Sequence, residues 1–184
     1  MANELSGRTA AFLVANEGIE QVELTEPWHA VEDAGGTPVL LAPKSGSAQA
    51  MNHLDKGDSF QVDQTVTAAD VDDFDILILP GGVANPDALR MDTDAMAFVE
   101  EYTATGKPVA AICHAPWTLV EAGVLSGRTL TSWPSLQTDI RNAGGTWVDE
   151  EIVTCTDGPF RLITSRKPDD LKAFCGEAVK AFSR

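Results

Sequence analysis

The chain has 184 residues, 43% of them hydrophobic, and carries 28 acidic against 13 basic side chains, a formal charge of -15. That length supports one compact core, so a single domain over residues 1–184 is expected. The charge excludes the basic patch that nucleic acid or an anionic membrane surface requires, which leaves small molecules, peptides or proteins as substrates and partners.

The three cysteines, Cys113, Cys155 and Cys175, are an odd number without a C-x-x-C or a Cys/His pair at metal-ligand spacing. This suits a reducing compartment, and no metal site is expected. The apolar run from Ala10 to Ala15 is too short for a signal peptide or a membrane span, so a cytoplasmic location is expected. No cofactor is expected, since the G-x-G-x-x-G spacing of a phosphate loop is absent.

In chain order, Thr9 to Ala15 reads as a first strand buried on both faces. Asn16-Glu17-Gly18 turns the chain, and Glu20 to Leu24 begins a helical segment that is expected to break at Pro27, with a longer helix following to Ala34. Thr37 to Ala42 is a second parallel strand. Residues Pro43 to Val66 are polar and rich in Gly and Ser, and read as a loose antiparallel hairpin or edge excursion. Asp70 to Asp73 forms a short acidic helical turn, and Phe74 to Leu79 a third buried strand that leaves through Pro80-Gly81-Gly82. Thr93 to Thr105 is an amphipathic helix closed by Gly106.

Val109 to Ile112 then reads as a central parallel strand that ends at Cys113, with helix-starting residues directly behind it. After that helix come a short strand at Thr129 to Thr131 and a helix opened by Pro134. Two short strands follow around Asp157-Gly158, and a closing helix runs from about Pro168 to Phe182. Alternating strands and helices imply an α/β three-layer sandwich with a largely parallel sheet. In such sheets the site lies beyond the carboxyl ends of the strands, so the exits around Asn16 to Glu23, Pro80 to Pro86 and Cys113 should meet in one crevice.

Cys113 at a strand-to-helix corner is the sulfur counterpart of a nucleophile elbow, where helix amides and dipole favour a thiolate. A buried small hydrophobe at a strand end is the alternative, and position alone leaves both open. The backbone amides of Gly82 and His114 are candidate oxyanion donors. Of the three histidines, His29 and His53 read as surface or packing residues, and His114 follows Cys113 directly, where adjacent side chains on a tight turn usually point apart. Glu20 and Glu23 share a helical face; such pairs are commonly solvated, but one of them facing inward would meet Cys113. Cys155 and Cys175 are expected to be packed hydrophobes.

The segments A-I-C-H-A-P at 111–116, L-P-G-G at 79–82, E-Q-V-E-L at 20–24 and T-S-W-P at 131–134 together resemble the ThiJ/PfpI superfamily. The likeness is greatest to its PfpI (intracellular protease) branch of general stress type, and runs nearly end to end. It implies a flavodoxin-like sandwich related to the class I glutamine amidotransferases, Cys113 in a strained elbow, Glu23 hydrogen-bonded to its sulfur, and dimers or higher assemblies. In that branch His114 would face a carboxylate of a neighbouring subunit. Asp87 is the candidate, a shorter side chain than the glutamate usual there. Glu20, Gly81 and Trp133 would line the pocket, Trp133 standing where relatives often carry tyrosine.

Two functions fit these residues. One is a cysteine hydrolase, a peptidase or a deglycase on glyoxal adducts of proteins, in which Cys113 attacks carbon while Glu23 and His114 exchange protons. The other is a redox sensor or chaperone-like protein in which Cys113 is oxidised.

Overall fold

The computed structural model describes residues 3–183. Strand β1 (Thr9–Leu13) stops two residues before the apolar run does, and the chain then forms a short strand, β2 (Glu17–Glu20), where a turn was expected. Helix α1 (Gln21–Asp33) corrects a second expectation, since it continues through Pro27 instead of breaking there. Proline at this position lacks the amide that would bond the carbonyl of Glu23 one turn back. The buried ring compensates through packing on the inner face of the helix, beside Leu24 and Val31.

After β3 (Thr37–Ala42), the polar excursion is an ordered hairpin of β4 (Ser47–Asn52) and β5 (Asp55–Gln61), followed by β6 (Gln64–Thr65). Strand β7 (Ile76–Leu79) leads to a short helix, α2 (Ala84–Leu89), within what reads from sequence as loop. Helix α3 (Thr93–Ala104) starts where the Asp92 carboxylate accepts the Ala95 amide at 2.9 Å. Strand β8 (Val109–Ile112) is the expected central strand, buried at all four positions, with α4 (Pro116–Glu121) behind it. The remaining elements are β9 (Thr129–Leu130), α5 (Gln137–Asn142), β10 (Thr146–Trp147), β11 (Val153–Cys155), β12 (Leu162–Ser165) and α6 (Leu171–Phe182).

The main sheet runs β11-β12-β8-β7-β1-β3-β6, parallel except at the β11–β12 edge. Alternate residues of its central strands face opposite layers. Ala11, Leu13, Leu77, Leu79, Val109 and Ala111 pack against α3, α4 and α5. Ala10, Phe12, Ile76, Ile78, Ala110 and Ile112 pack against α1 and α6. Each large aliphatic buried in this way stabilises the fold by about 1.5–3 kcal/mol. The result is an α/β three-layer sandwich.

Register places the site. Phe12 of β1 lies beside Ile78 of β7, and Ile78 beside Ala110 of β8, so the three strands end side by side. Beyond those ends, β2, β4 and β5 form a separate three-stranded sheet. It is tied to α1 by the Gln21 amide, which donates to Asp58 and accepts the Asp58 N–H, both at 2.7 Å. Among the described residues, no helix is long and apolar enough to cross a membrane.

Candidate active site

Strand β8 ends at Ile112, and Cys113 turns the chain with φ of 62°. Among the described residues only Cys113 and His53 combine a positive φ with a side chain. That conformation costs about 1–3 kcal/mol unless the surroundings hold it. They do so by hydrogen bonds: the Cys113 amide donates to the Ser165 carbonyl at 3.0 Å, and the Cys113 carbonyl accepts the Trp133 amide at 2.8 Å. The side chain is thereby lifted off the strand, as the elbow reading requires.

Glu23 lies in the first turn of α1 and is fully buried. One carboxyl oxygen, Oε2, accepts the Gly81 amide at 3.0 Å, and the other, Oε1, is buried without a hydrogen-bond partner. Gly81 has no room for a side chain, because a Cβ there would run into the Glu23 carboxyl and stand 2.7 Å from the Cys113 Cβ. The close approach of β7's exit to the elbow therefore depends on glycine. Burial pushes the Glu23 pKa up to about 8, outweighing the amides that favour its anion, so Glu23 keeps its proton at neutral pH.

The amides of Gly82 and His114 favour the anion of the Cys113 sulfur. Burial works against the thiolate that an elbow favours: it pushes the Cys113 thiol pKa up and outweighs the two amides. Helix α4 adds little, since it is only six residues long and starts three residues past the sulfur. Two anions side by side in this interior would repel strongly, so the pair carries at most one negative charge.

His114 overturns a second expectation. Its Nδ1 lies 3.1 Å from the Cys113 Sγ, so the adjacent side chains meet instead of pointing apart. The left-handed φ at Cys113 rotates one side chain towards the other, which a regular turn would not do. The imidazole is stacked on Trp133 (centroids 5.5 Å apart, 22° between planes) and tilted against Trp117 at 5.4 Å. Burial there pulls its pKa down to about 4, so the ring is neutral at neutral pH. With the ring proton on Nε2, Nδ1 is free to take the thiol proton, and the imidazolium formed would rest between two indoles.

A cleft of about 660 Å³ opens over these groups. Cys113, His114, Glu23, Glu20, Gly82 and Trp133 line it. Gly81 sits behind the wall and acts through its amide on Glu23. Glu20 faces the hairpin, accepting the His53 amide at 3.1 Å, and so does not share the Cys113 contact with Glu23. Asp87 is exposed in the first turn of α2 and does not reach the cleft of its own chain. Trp133 is held by a relay in which Trp147 Nε1 donates to Ser132 Oγ at 3.0 Å and Ser132 donates to the Trp133 carbonyl at 2.9 Å.

Sequence reasoning missed two contributors. The hairpin supplies Gln49, Met51, His53, Leu54 and Lys56 to the cleft wall. Asn85, fully buried, accepts the Ala15 amide at 2.7 Å and donates to the carbonyls of Pro80 and Gly81 at 2.8 and 3.2 Å, stitching the exits of β1 and β7 together. A short amide side chain just after a glycine-rich strand exit was the available signal. Among the described residues, no group of three or more His, Cys, Asp or Glu is arranged to hold a metal ion.

The pattern of the DJ-1/PfpI family matches residues 8–181. The chain belongs to that family. A deglycase of Pyrococcus horikoshii is 40% identical over 92% of this chain and 96% of its own length. General stress protein 18 of Bacillus subtilis is 37% identical over 87% of this chain and 90% of its own. Among solved structures, a two-domain protein of Anabaena variabilis with DJ-1/ThiJ/PfpI-like and ferritin-like domains superposes with a TM-score of 0.85 at 33% identity. That match covers 94% of this chain, which spans 47% of the longer protein. DJ-1/PfpI proteins are commonly oligomeric.

Proposed function

We propose that this DJ-1/PfpI protein is a cysteine hydrolase of stress-response type, acting as a deglycase or peptidase on carbonyl-derived adducts or peptide bonds of proteins. One observation carries the reading: a thiol in a strained elbow meets a neutral imidazole at 3.1 Å. The names of its relatives, deglycase and general stress protein, support it.

In the mechanism that this geometry supports, His114 Nδ1 removes the Cys113 proton as the sulfur attacks an electrophilic carbon. Glu23 stays protonated, so the developing thiolate does not meet a second anion. The backbone amides of Gly82 and His114 donate to the oxygen that becomes negative on the attacked carbon. His114 then returns its proton to the leaving group. Water attacks the carbon with His114 again as base, the bond from carbon to the Cys113 sulfur breaks to release the product, and His114 returns the proton to the sulfur.

The same reading takes the chain as a single domain and a homo-oligomer. No carboxylate of the same chain hydrogen-bonds to His114 among the described residues, and Asp87, exposed on α2, is the candidate to reach the imidazole of a neighbouring copy. Three free cysteines suit a reducing, cytoplasmic setting. The alternative, an oxidised Cys113 in a sensor, is favoured by the proton on Glu23, which could bond an oxygen added to the sulfur.

The deciding experiment incubates the protein and Cys113→Ser with methylglyoxal-modified peptide and with unmodified peptide substrates. Multiple turnovers by wild type alone support the hydrolase. A single equivalent consumed, or equal rates in the two proteins, overturns it.

A further inference from the structure

Cys155 ends β11 at the edge of the main sheet and pairs with Leu162, which in turn pairs with Val109 at the entry of β8. Cys113 lies beyond the opposite end of that strand. The two thiols therefore sit at opposite ends of the sheet, and nothing in the mechanism above uses Cys155.

Beside Cys155 lies Arg128, only 2% exposed and among the largest fully buried side chains. Its Nη1 donates to the Phe160 carbonyl at 2.9 Å, and its Cζ stands 3.7 Å from the centroid of the Phe160 ring. Gly158, at φ of +92°, presses the following turn onto the guanidinium so closely that a Cβ there would lie 2.8 Å from Nη2. Nη2 itself is buried without a hydrogen-bond partner. Among the described residues Arg128 is in no salt bridge.

A buried cation with an unused donor is costly, and arginine does not shed its charge at ordinary pH. Asp157 is exposed on the turn and adds only attraction at longer range. Cys155 and the guanidinium are packed against the same turn: the sulfur bonds the Asp157 carbonyl at a long 3.9 Å, while Arg128 contacts Gly158 and bonds Phe160. The acceptor that Nη2 lacks is one that an oxygen added to Cys155 can supply.

We propose that Cys155 is a second, oxidant-reactive thiol, converted by hydrogen peroxide to a sulfenic acid whose oxygen is held by Arg128 Nη2. The sulfur gives up its proton and attacks one peroxide oxygen; an S–O bond forms and the O–O bond breaks. Hydroxide leaves and, with the thiol proton, becomes water. The sulfur is oxidised by two electrons and the peroxide reduced by two. Cys155 is buried, and a small oxidant reaches it where the edge opens: β11 is a three-residue edge strand followed by an exposed turn, and a recess of about 360 Å³ lined by Arg128, Gly158, Pro159 and Phe160 leads to the guanidinium. Local opening of such a turn leaves the core intact.

The test exposes the full chain to graded hydrogen peroxide with a sulfenate-trapping dione present, and maps the adducts at each cysteine by mass. Cys175, half-buried and free, is the internal reference. The expected result is trapping at Cys155 about tenfold faster than at Cys175, unchanged in Cys113→Ser and several-fold slower in Arg128→Lys and Arg128→Met. Circular dichroism shows which variants are folded. Wild type in which Cys155 reacts no faster than Cys175 overturns the proposal, as does a folded Arg128 variant that leaves the Cys155 rate unchanged.

Discussion

Between about pH 4.5 and 8 the buried carboxyl of Glu23 holds a proton that the unfolded chain has already released, because burial raises its pKa to about 8 from an ordinary value of 4.5. The folded state then binds more protons than the unfolded one, so this group's contribution to stability falls as pH rises through that window. Glu23→Gln removes the dependence. Chemical denaturation should show the variant and wild type equally stable near pH 4.5, with the variant ahead by on the order of 3 kcal/mol at neutral pH. A gap that stays constant with pH would mean that Glu23 is ionised throughout. His114 works in the opposite sense: its pKa falls from 6.5 to about 4, so it adds stability as pH rises between those values. For catalysis, His114→Ala should lower turnover by about 10²-fold or more while leaving the fold intact, read by steady-state rates beside a thermal melt. The same proton transfer should give the wild-type rate a rising limb from about pH 4 as the imidazole loses its charge.

At the scale of elements, the strand exits matter more than the strands. Asn85 joins Ala15 to Pro80 and Gly81 through three hydrogen bonds in the interior. Asn85→Ala leaves those backbone groups unpaired and should cost about 2–4 kcal/mol in denaturant melts. Asn85→Asp should cost more, since a carboxylate would face two carbonyl oxygens without a donor. In both variants the Gly81 amide should lose its aim at Glu23, so Cys113 reactivity towards a carbonyl substrate should fall further than stability alone explains. The central strands were legible from sequence because Ile76–Leu79 and Val109–Ile112 are short, apolar and bounded by turn residues. The place at the exit of β1 left Glu20 and Glu23 open, and the choice of Glu23 came from the family resemblance; Glu23 is the one buried, while Glu20 accepts the His53 amide. What could not be read depended on backbone dihedrals: the φ of Cys113, which brings His114 onto the sulfur, and the helix that passes through Pro27. Helix α2 was hidden for a related reason, since Gly81, Gly82, Asn85 and Pro86 carry loop signals whose outcome tertiary contacts decide.

The whole molecule carries a charge of -15, which opposes assembly at low ionic strength. An oligomer completed by Asp87 should therefore grow with moderate salt in sedimentation experiments. Asp87→Asn should lower turnover without changing the isolated protomer's stability. A monomer with full activity at every salt concentration would remove Asp87 from the site.

The cleft also draws its walls from two independent sources. Cys113, Glu23 and Gly82 are set by the main sheet and α1, whereas Met51, His53, Leu54 and Lys56 come from a separate small sheet fastened by Gln21 and Asp58. Chemistry and selectivity can thus diverge on different schedules. Exchanging the β4–β5 hairpin for one of another length or polarity should redirect which adduct or peptide is accepted while the elbow keeps its geometry. On that account the hairpin is the part of this protein through which new substrate ranges are most readily explored, by descent or by design.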